Sequence, residues 1–305
     1  MKSVVSEMKT VRRLHRARRE DIGDLVTYQA LPVPALGLGG FEPFLLLNHH
    51  GPQVYPPRNS GLPFGPHPHR GFETVTFILE GDLIHRDSGG YESLIRAGGV
   101  QWMTAGRGLI HSETSSDEFR RTGGPLEILQ LWLNLPARLK MTAPRYVGLQ
   151  RAELPTLARD EGRVTLDLVA GEWDGTAGAV ETLTDVSLAV VRLGAGGKFA
   201  HEVGGGRRVF FYVVRGGVTV SGERADAFDL VEFVDEGRRV EAAAAQGAVV
   251  LFGHAAPNHE PLAARGPFVM NTDAEIVQAI RDYHAGRFGV WREEHTGEEH
   301  GGQSD

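Results

Sequence analysis

The sequence predicts an all-β chain of two β-barrel halves that ends in one helix. Glycine is abundant, with 40 residues, and 16 prolines accompany it, which favours short strands joined by tight turns. Runs of β-branched and aromatic residues recur between these turns, and they fall into two sets along the chain. The 305 residues, 41% hydrophobic and 23% charged, suit a globular protein of one large domain or two ordinary ones.

The N-terminal segment is unusually basic. Its five arginines are Arg12, Arg13, Arg16, Arg18 and Arg19. Such a run occurs in nucleic-acid patches and nuclear-import signals. Glu7, Glu20 and Asp21 dilute the charge here, so we interpret the run as a solvated, charged segment.

Residues 25–135 have the pattern of β-strands. Glu73–Leu79 is rich in β-branched and aromatic residues, and residues 87–90 (DSGG) predict a hairpin turn. In residues 126–135 the leucines at every second position share one face, whereas Gln130, Trp132 and Asn134 share the other. This alternation fits a barrel wall whose leucines are core and whose mixed face lines a cavity.

Three prolines within residues 136–155 mark the best domain boundary. Strand-like runs then return at Val164–Val169, Val186–Leu193, Val209–Val214 and Ala248–Phe252. The halves therefore look like similar β-domains. We predict an N-terminal domain over residues 1–140, a C-terminal domain over 141–290 and a disordered tail over 291–305.

One amphipathic helix is predicted near the C-terminus. Thr272 and Glu275 match a capping box, in which each side chain satisfies a free backbone N–H group of the other. Ile276, Ile280 and Tyr283 follow at helical spacing, and glycines after them act as stop signals. We expect this helix to pack on a barrel.

Composition excludes several kinds of function. The chain has no cysteine, which rules out disulfides, cysteine-ligated zinc, iron–sulfur clusters and thiol nucleophiles. The net charge of −7 argues against direct nucleic-acid binding. Neither a signal peptide nor an apolar span of about 20 residues is recognisable. We expect a cytoplasmic protein that spans no membrane.

Two pairs of residues carry the chemistry. His67 and His69, separated by one residue, share a face of a strand, and His111 and Glu113 repeat that spacing. A hairpin-like return between the pairs would let four ligands converge. Three imidazoles and a carboxylate suit Fe(II), and also Zn, Cu, Ni, Mn or Co, and can leave positions open for a substrate. A lone histidine is more often a satisfied polar residue, but the combination predicts one metal ion.

Long motifs surround these residues. Gly65–Thr76 resembles the first cupin motif in the form found in the pirin family, and Gly99–Glu113 resembles the second pirin motif. Residues 266–289 are similar to the pirin C-terminal signature. The resemblance covers roughly residues 10–290. It implies two cupin, jelly-roll-like β-barrel domains with a C-terminal helix.

The resemblance also implies a metal site in the N-terminal domain. Pirins bind iron through the residues that match His67, His69, His111 and Glu113. The glutamate of the first motif, here Glu73, is a ligand in many cupins but not in pirins. We expect it either to orient a ligating imidazole or to form a salt bridge, for example with Arg70.

Other histidines depart from the ligand pattern. His201 and His254 lie where ligands would be expected in the second half, but neither has a partner two residues away. We therefore expect no metal there. His49 and His50 are adjacent, so only one can point toward the site, and they are either a loop feature or residues that tune the cavity.

Two functions from different classes remain. Bacterial pirins resemble quercetin 2,3-dioxygenases, which cleave a flavonol with dioxygen and release carbon monoxide. Glu113 would then take the proton of the flavonol hydroxyl. Trp102, Phe72 or Trp132 would stack on the flat substrate, although each is also an ordinary candidate for core packing.

The alternative is a regulatory protein without enzymatic activity. Eukaryotic pirins resemble iron-dependent transcription cofactors, and some bacterial ones are thought to bind metabolic enzymes. The metal would sense redox state and shift a surface loop. The net negative charge of the chain agrees with a protein partner and not with DNA. The N-terminal arginines are the candidate surface for contact with an acidic partner. We favour the dioxygenase, because open coordination positions serve a substrate.

Overall fold

The computed structural model describes residues 8–292. The strands up to residue 149 are β1 Val11–Arg16, β2 Arg18–Arg19, β3 Thr27–Leu31, β4 Phe44–Tyr55, β5 Phe64–His69, β6 Phe72–Glu80, β7 Asp82–Asp87, β8 Glu92–Arg96, β9 Val100–Thr104, β10 Leu109–Thr114, β11 Gly124–Asn134 and β12 Arg145–Leu149. A short helix, α1 Asp117–Thr122, precedes β11.

The later strands are β13 Thr156–Arg159, β14 Val164–Ala170, β15 Glu172–Trp173, β16 Thr176–Ala177, β17 Val186–Leu193, β18 Lys198–Glu202, β19 Arg208–Arg215, β20 Gly217–Val220, β21 Glu223–Asp226, β22 Asp229–Phe233, β23 Arg239–Ala243, β24 Ala248–Ala255, β25 Ala263–Arg265 and β26 Phe268–Met270. Helix α2 spans Asp273–His284. Three one-turn 3-10 helices occur at Ala137–Leu139, Arg151–Glu153 and Asp160–Gly162.

Each half is a barrel made of a seven-stranded and a four-stranded sheet. In the first half the orders are β12-β9-β6-β11-β4-β3-β2 and β5-β10-β7-β8. In the second half they are β1-β22-β19-β24-β17-β14-β13 and β18-β23-β20-β21. The crossovers between non-consecutive strands are those of a jelly roll. The predicted all-β fold of two cupin barrels with a C-terminal helix is confirmed.

The seven-stranded sheets pack against each other. The leucine face of β11, which includes the fully buried Leu129 and Leu131, belongs to one apolar cluster with Phe210 and Leu251 of the second half. The rings of Phe44 and Phe210 are 5.1 Å apart across this interface. The leucines are core, as predicted, but they join the two barrels, and the mixed face of β11 is left for the interior of the first barrel.

The sheets do not divide the chain at residue 140. Strand β1 pairs with β22 of the second barrel, and β12 pairs with β9 of the first. The N-terminal arginines therefore lie on edge strands, where carboxylates neutralise several of them: Arg12 is 3.4 Å from Glu232, and Arg16 is 3.2 Å from Asp229. These pairs favour the interpretation of the basic run as a solvated surface.

Helix α2 has the predicted start. The Thr272 hydroxyl accepts a hydrogen bond from the N–H of Glu275 at 3.2 Å, and the Glu275 carboxylate accepts one from the N–H of Thr272 at 2.9 Å. Buried Ile276 packs with Phe268 and Phe288, next to Ile110 of the first barrel. No helix within residues 8–292 has the length and apolar character needed to cross a bilayer. Residues 293–305 of the predicted tail lie outside the described residues.

Helix α1 was not anticipated from the sequence. Its six residues are too few to show a helical period. The hydroxyl of Ser116 caps it by accepting a hydrogen bond from the N–H of Phe119 at 3.0 Å. Acidic residues in its first turn and basic ones in its last complement the helix dipole.

Candidate metal centre

Three histidines converge on the interior of the first barrel. Strands β5 and β10 are antiparallel neighbours, with His111 opposite His67 and Leu109 opposite His69. The three imidazoles present ligand atoms that all lie within 4.8 Å of one another. Four strands, β6 to β9, separate β5 from β10 along the chain. The structure therefore brings together three of the four predicted ligands, but through crossovers and not through the expected hairpin-like return.

Hydrogen bonds orient these imidazoles. Nδ1 of His67 is 2.7 Å from the carbonyl oxygen of Gly65, and Nδ1 of His69 is 3.4 Å from that of Pro267. A carbonyl accepts only from a protonated nitrogen, so Nε2 of each ring keeps its lone pair. His111 is fully buried, yet neither ring nitrogen has a partner within the described residues. A buried polar ring without partners is costly, and a bound metal would satisfy it.

Burial also favours the protonation state that metal binding needs. Burial, with a smaller contribution from His67, lowers the pKa of His69 to about 3. Burial and the neighbouring imidazoles hold the pKa of His111 well below its ordinary value. Both rings are therefore neutral near pH 7, which is the form that donates a lone pair to a metal.

Glu113 lies on the same strand but is held by other residues. It is not among the residues whose ligand atoms fall within 4.8 Å of one another. One carboxylate oxygen accepts hydrogen bonds from the hydroxyl of Thr76 at 3.1 Å and from the amide of Gln101. The other accepts from the amide of Gln130 at 2.6 Å. Gln130 was expected on the cavity-lining face of β11, whereas nothing in the sequence singled out Thr76 or Gln101.

A fourth imidazole borders the histidines. His85 on β7 is fully buried, stands opposite Glu113 in the strand register, and its ring centroid is 5.5 Å from that of His111. Nε2 of His85 donates to the carboxylate of Asp87 at 3.0 Å, and the ring stacks on Tyr146 at 3.9 Å. Sequence reasoning missed His85 because it belongs to neither the His67/His69 pair nor the His111/Glu113 pair. His85 lies two residues after Leu83, so both side chains point into the barrel, and this alternation could have identified it from the sequence.

An aromatic wall stands on another side of the site. The ring centroids of Phe72 and Trp132 are 5.0 Å and 5.3 Å from that of His69. Their own rings are 4.3 Å apart. Trp102 instead belongs to the apolar cluster between the barrels. Two of the three aromatic candidates therefore border the site, and the third is core.

Comparison with known proteins agrees with the fold and with this site. The Pirin family model matches residues 28–133, and the model of the Pirin C-terminal cupin domain matches residues 188–289. The chain belongs to the pirin family. A pirin-like protein from Caulobacter vibrioides is 41% identical over 81% of this chain and 88% of its own. Human Pirin is 34% identical over 94% of this chain and 96% of its own.

A solved structure extends the likeness to most of the molecule. The crystal structure of quercetin 2,3-dioxygenase from Acinetobacter baumannii is similar to this pirin with a TM-score of 0.87 and 36% identity. It covers 92% of this chain and 99% of that one. The family resemblance inferred from the motifs is confirmed.

Both expectations for Glu73 were wrong. Its carboxylate accepts a hydrogen bond from the hydroxyl of Thr104 at 2.6 Å, and Arg70 pairs instead with Asp282 at 2.8 Å. Strand alternation puts Glu73 on the face opposite Thr76, away from the histidines. Burial raises the pKa of Glu73, as expected for a carboxyl group in an apolar interface.

His49 and His50 point in different directions. His49 is fully buried between the barrels, 2.9 Å from the Glu127 carboxylate and 3.0 Å from the Tyr212 hydroxyl. His50 is 2.9 Å from the Thr27 hydroxyl. Both lie within strand β4, so the loop interpretation was wrong. His49 joins the two halves and does not contact the three histidines.

His201 and His254 of the second barrel meet each other. Their Nε2 atoms are 3.2 Å apart, and Nε of Arg207 donates to Nδ1 of His254 at 2.7 Å. His254 must then carry its proton on Nε2, so it cannot offer that atom to a metal. This tautomer supports the expectation that the second barrel binds no metal, which remains a prediction.

Proposed function

We propose that this pirin is a metal-dependent dioxygenase that cleaves a flavonol, such as quercetin, with dioxygen. The observation that carries the proposal is the convergence of three imidazoles, one of which, His111, is buried and has ring nitrogens without a partner within the described residues. The likeness to the Acinetobacter baumannii quercetin 2,3-dioxygenase supports the substrate class.

His67, His69 and His111 would hold one divalent metal ion, with Glu113 as the fourth ligand. Fe(II) is the metal we propose, and the same donor set also accepts Zn, Cu, Ni, Mn or Co. When bound, such an ion supplies Lewis acidity that lowers the pKa of a substrate hydroxyl, and iron adds redox capacity. The carbonyl groups of Gly65 and Pro267 keep two of the imidazoles in the ligating tautomer.

Glu113 is the group we assign to proton transfer. Its two oxygens offer about four acceptor positions, and three are used by Thr76, Gln101 and Gln130. One position therefore remains, so Glu113 would leave the metal ion when it takes the hydroxyl proton of a flavonol. Amide and hydroxyl donors orient the carboxylate, so its position is fixed before a substrate arrives. Phe72 and Trp132 provide apolar walls for a flat substrate.

One observation favours the alternative of a redox-sensing regulatory protein. Five cavities of about 300 to 620 Å3 are lined by residues other than the three histidines. None of these five cavities provides flavonol-sized room beside the histidines, of which only His67 is half-buried. A metal that only senses redox state needs no such room, and a protein partner would bind elsewhere on the surface.

Anaerobic loading with ferrous iron, followed by quercetin and air, tests the proposal. Iron content is measured first, and the flavonol absorbance band and carbon monoxide are then followed. Iron-dependent loss of the band with release of carbon monoxide supports the dioxygenase. Full iron occupancy without turnover on several flavonols would contradict the dioxygenase and support the redox-sensing regulatory function instead.

Two variants separate metal binding from proton transfer. His111→Ala should lose bound metal, because it removes the central imidazole. Glu113→Gln should keep much of the metal through three imidazoles but lose turnover by roughly 100-fold or more, the usual contribution of a general base. Glu113→Gln that turns over at the wild-type rate would contradict the assignment of the base.

A further inference from the structure

A separate cavity on the first barrel is lined by arginines from three distant segments. It holds about 400 Å3, within the range of small-molecule sites. Arg107 lies in the turn before β10, Arg145 begins β12, and Arg287 follows helix α2. None of the three metal-binding histidines lines this cavity.

The positive charge of the cavity is not neutralised from within. Three arginines against one acidic residue, Asp87, give the lining a formal charge of +2. The Asp87 side chain is only 3% exposed, and its oxygens already accept hydrogen bonds from His85 and from the N–H groups of Gly89 and Tyr91.

The guanidinium groups remain able to bind a ligand. Arg107 and Arg145 make no side-chain hydrogen bond or ion pair within 4 Å among residues 8–292, although Arg145 attracts the buried carboxyl of Glu73 at longer range, and both are exposed. Arg287 pairs with Asp282 through one nitrogen at 2.9 Å and is still 67% exposed. On a chain whose net charge is −7, three arginines of which two form no ion pair create a local positive potential.

The walls of the cavity are fixed by packing. Ser88 donates a hydrogen bond from its hydroxyl to the carbonyl oxygen of Phe288 at 2.6 Å, and the same hydroxyl accepts one from the N–H of Ile110 at 3.0 Å. Gly108 lies so close to the Phe288 ring that an added Cβ would be 2.7 Å from it. The segment that carries Arg287 is therefore held against the turn that carries Arg107, so the backbone positions of these two arginines are set before a ligand arrives.

We propose that this cavity binds a small organic anion with two or more phosphate or carboxylate groups. Guanidinium groups bind both kinds of oxyanion through paired N–H donors. A neighbouring cavity of about 480 Å3 shares Asp87, Ser88, Gly89 and Tyr91 and adds Val290 and Trp291. The half-exposed ring of Tyr91 and these apolar residues give room for the uncharged part of such a molecule.

Calorimetric titration of the metal-loaded full-length protein tests this site. The probes are fructose 1,6-bisphosphate and propane-1,2,3-tricarboxylate, which represent the two sources of the anion, and metal content is measured before and after each titration. Wild type should bind at least one probe, and higher salt should weaken that binding. Binding of only one probe identifies phosphate or carboxylate as the recognised group.

The double variant Arg107→Ala/Arg145→Ala should lose affinity by roughly tenfold or more, because charge-assisted hydrogen bonds are lost. Arg265→Ala, an exposed arginine on β25 outside the cavity, is the matched control and should bind as wild type does. The proposal is overturned if wild type binds neither probe, or if the double variant keeps wild-type affinity. An equal loss in Arg265→Ala would also overturn it, because that result indicates attraction by net charge alone.

Discussion

At the scale of single residues, the histidines suited to hold a metal and Glu113 are oriented by different kinds of group. The imidazoles of His67 and His69 are oriented by backbone carbonyls, which any sequence can supply. Glu113 is oriented by the side chains of Gln101 and Gln130, which only this combination of residues can supply. Substitution of those amides should therefore affect the carboxylate selectively.

Gln130→Leu should weaken metal binding by roughly tenfold or more, the usual effect of losing a residue that orients a ligand. Leu keeps most of the buried volume but removes the amide that donates to Glu113 at 2.6 Å. Competition with a chelator measures the change. Gln53→Leu is the control, because Gln53 bonds only the backbone of Asp24 and Val26. Unchanged affinity in Gln130→Leu would show that Glu113 does not contribute to metal binding.

At the scale of elements, the C-terminal segment is attached to the barrel that contains the site. Arg70, next to His69, pairs with Asp282 of α2 at 2.8 Å, and the carbonyl of Pro267 lies against His69. Gly108 permits a close approach of Phe288, because its φ of +124° and its contact with that ring both exclude a side chain.

Gly108→Ala should lower the free energy of unfolding by roughly 1–3 kcal/mol, the usual cost of one strained backbone position, and should loosen residues 286–292. Urea denaturation and hydrogen exchange measure the two effects. Gly90→Ala is the matched control, since Gly90 also has a positive φ, of +93°, but an added Cβ would meet no atom within 4 Å. Equal exchange near Phe288 in both variants would contradict the proposed role of that contact.

At the scale of the whole molecule, the two barrels share a buried polar group within their apolar interface. Glu127 of the first barrel is fully buried and accepts hydrogen bonds from His49 and from Arg215 of the second barrel. Arg215 also reaches Glu80 at 3.1 Å. Because the partners come from both barrels, this group links their unfolding.

Glu127→Leu should lower the free energy of unfolding by roughly 3 kcal/mol, because it leaves a buried histidine and an arginine without their shared acceptor. Urea unfolding followed by fluorescence and by circular dichroism measures the loss. Glu20→Leu, which removes the ion-pair partner of Arg18 where both side chains are 49% exposed, should cost less. Equal losses in the two variants would count against a special role for the buried group.

Acid should destabilise the metal-free protein. Burial lowers the pKa of His50 and of His254 to about 3, whereas the unfolded chain titrates near 6.5. Between these values the unfolded state binds protons that the folded state does not. The contribution of these two histidines to the free energy of unfolding is therefore fully present above about pH 6.5, and it falls on acidification toward pH 3.

Urea unfolding at about pH 7 and about pH 5, with a chelator present, measures this slope, to which each such histidine adds at most about 1.36 kcal/mol per pH unit. The pKa of the buried Glu73 carboxyl is raised, so acidification increases the stability that this group contributes and partly offsets the loss from the histidines. His50→Asn, which keeps an acceptor for Thr27, should reduce the slope. An unchanged slope would show that His50 is protonated in the folded state.

Local sequence patterns determined the fold class and singled out the three histidines that the fold brings together. Alternation along β11 depends only on strand geometry, so its two faces were readable. The capping box of α2, the spacing of His67 and His69, and the spacing of His111 and Glu113 are likewise local features. The chemistry of those side chains limits the possible metals before any coordinates are known.

Only the tertiary structure decided which distant residues meet. Glu113 contacts Gln101 and Gln130 from two other strands, and Glu73 faces the barrel interface instead of the histidines. Strand β1 joins the second barrel although it lies near the N-terminus. These outcomes depend on the order of strands in the sheets, which is set by packing between residues far apart in the chain and leaves no periodic signal in the sequence.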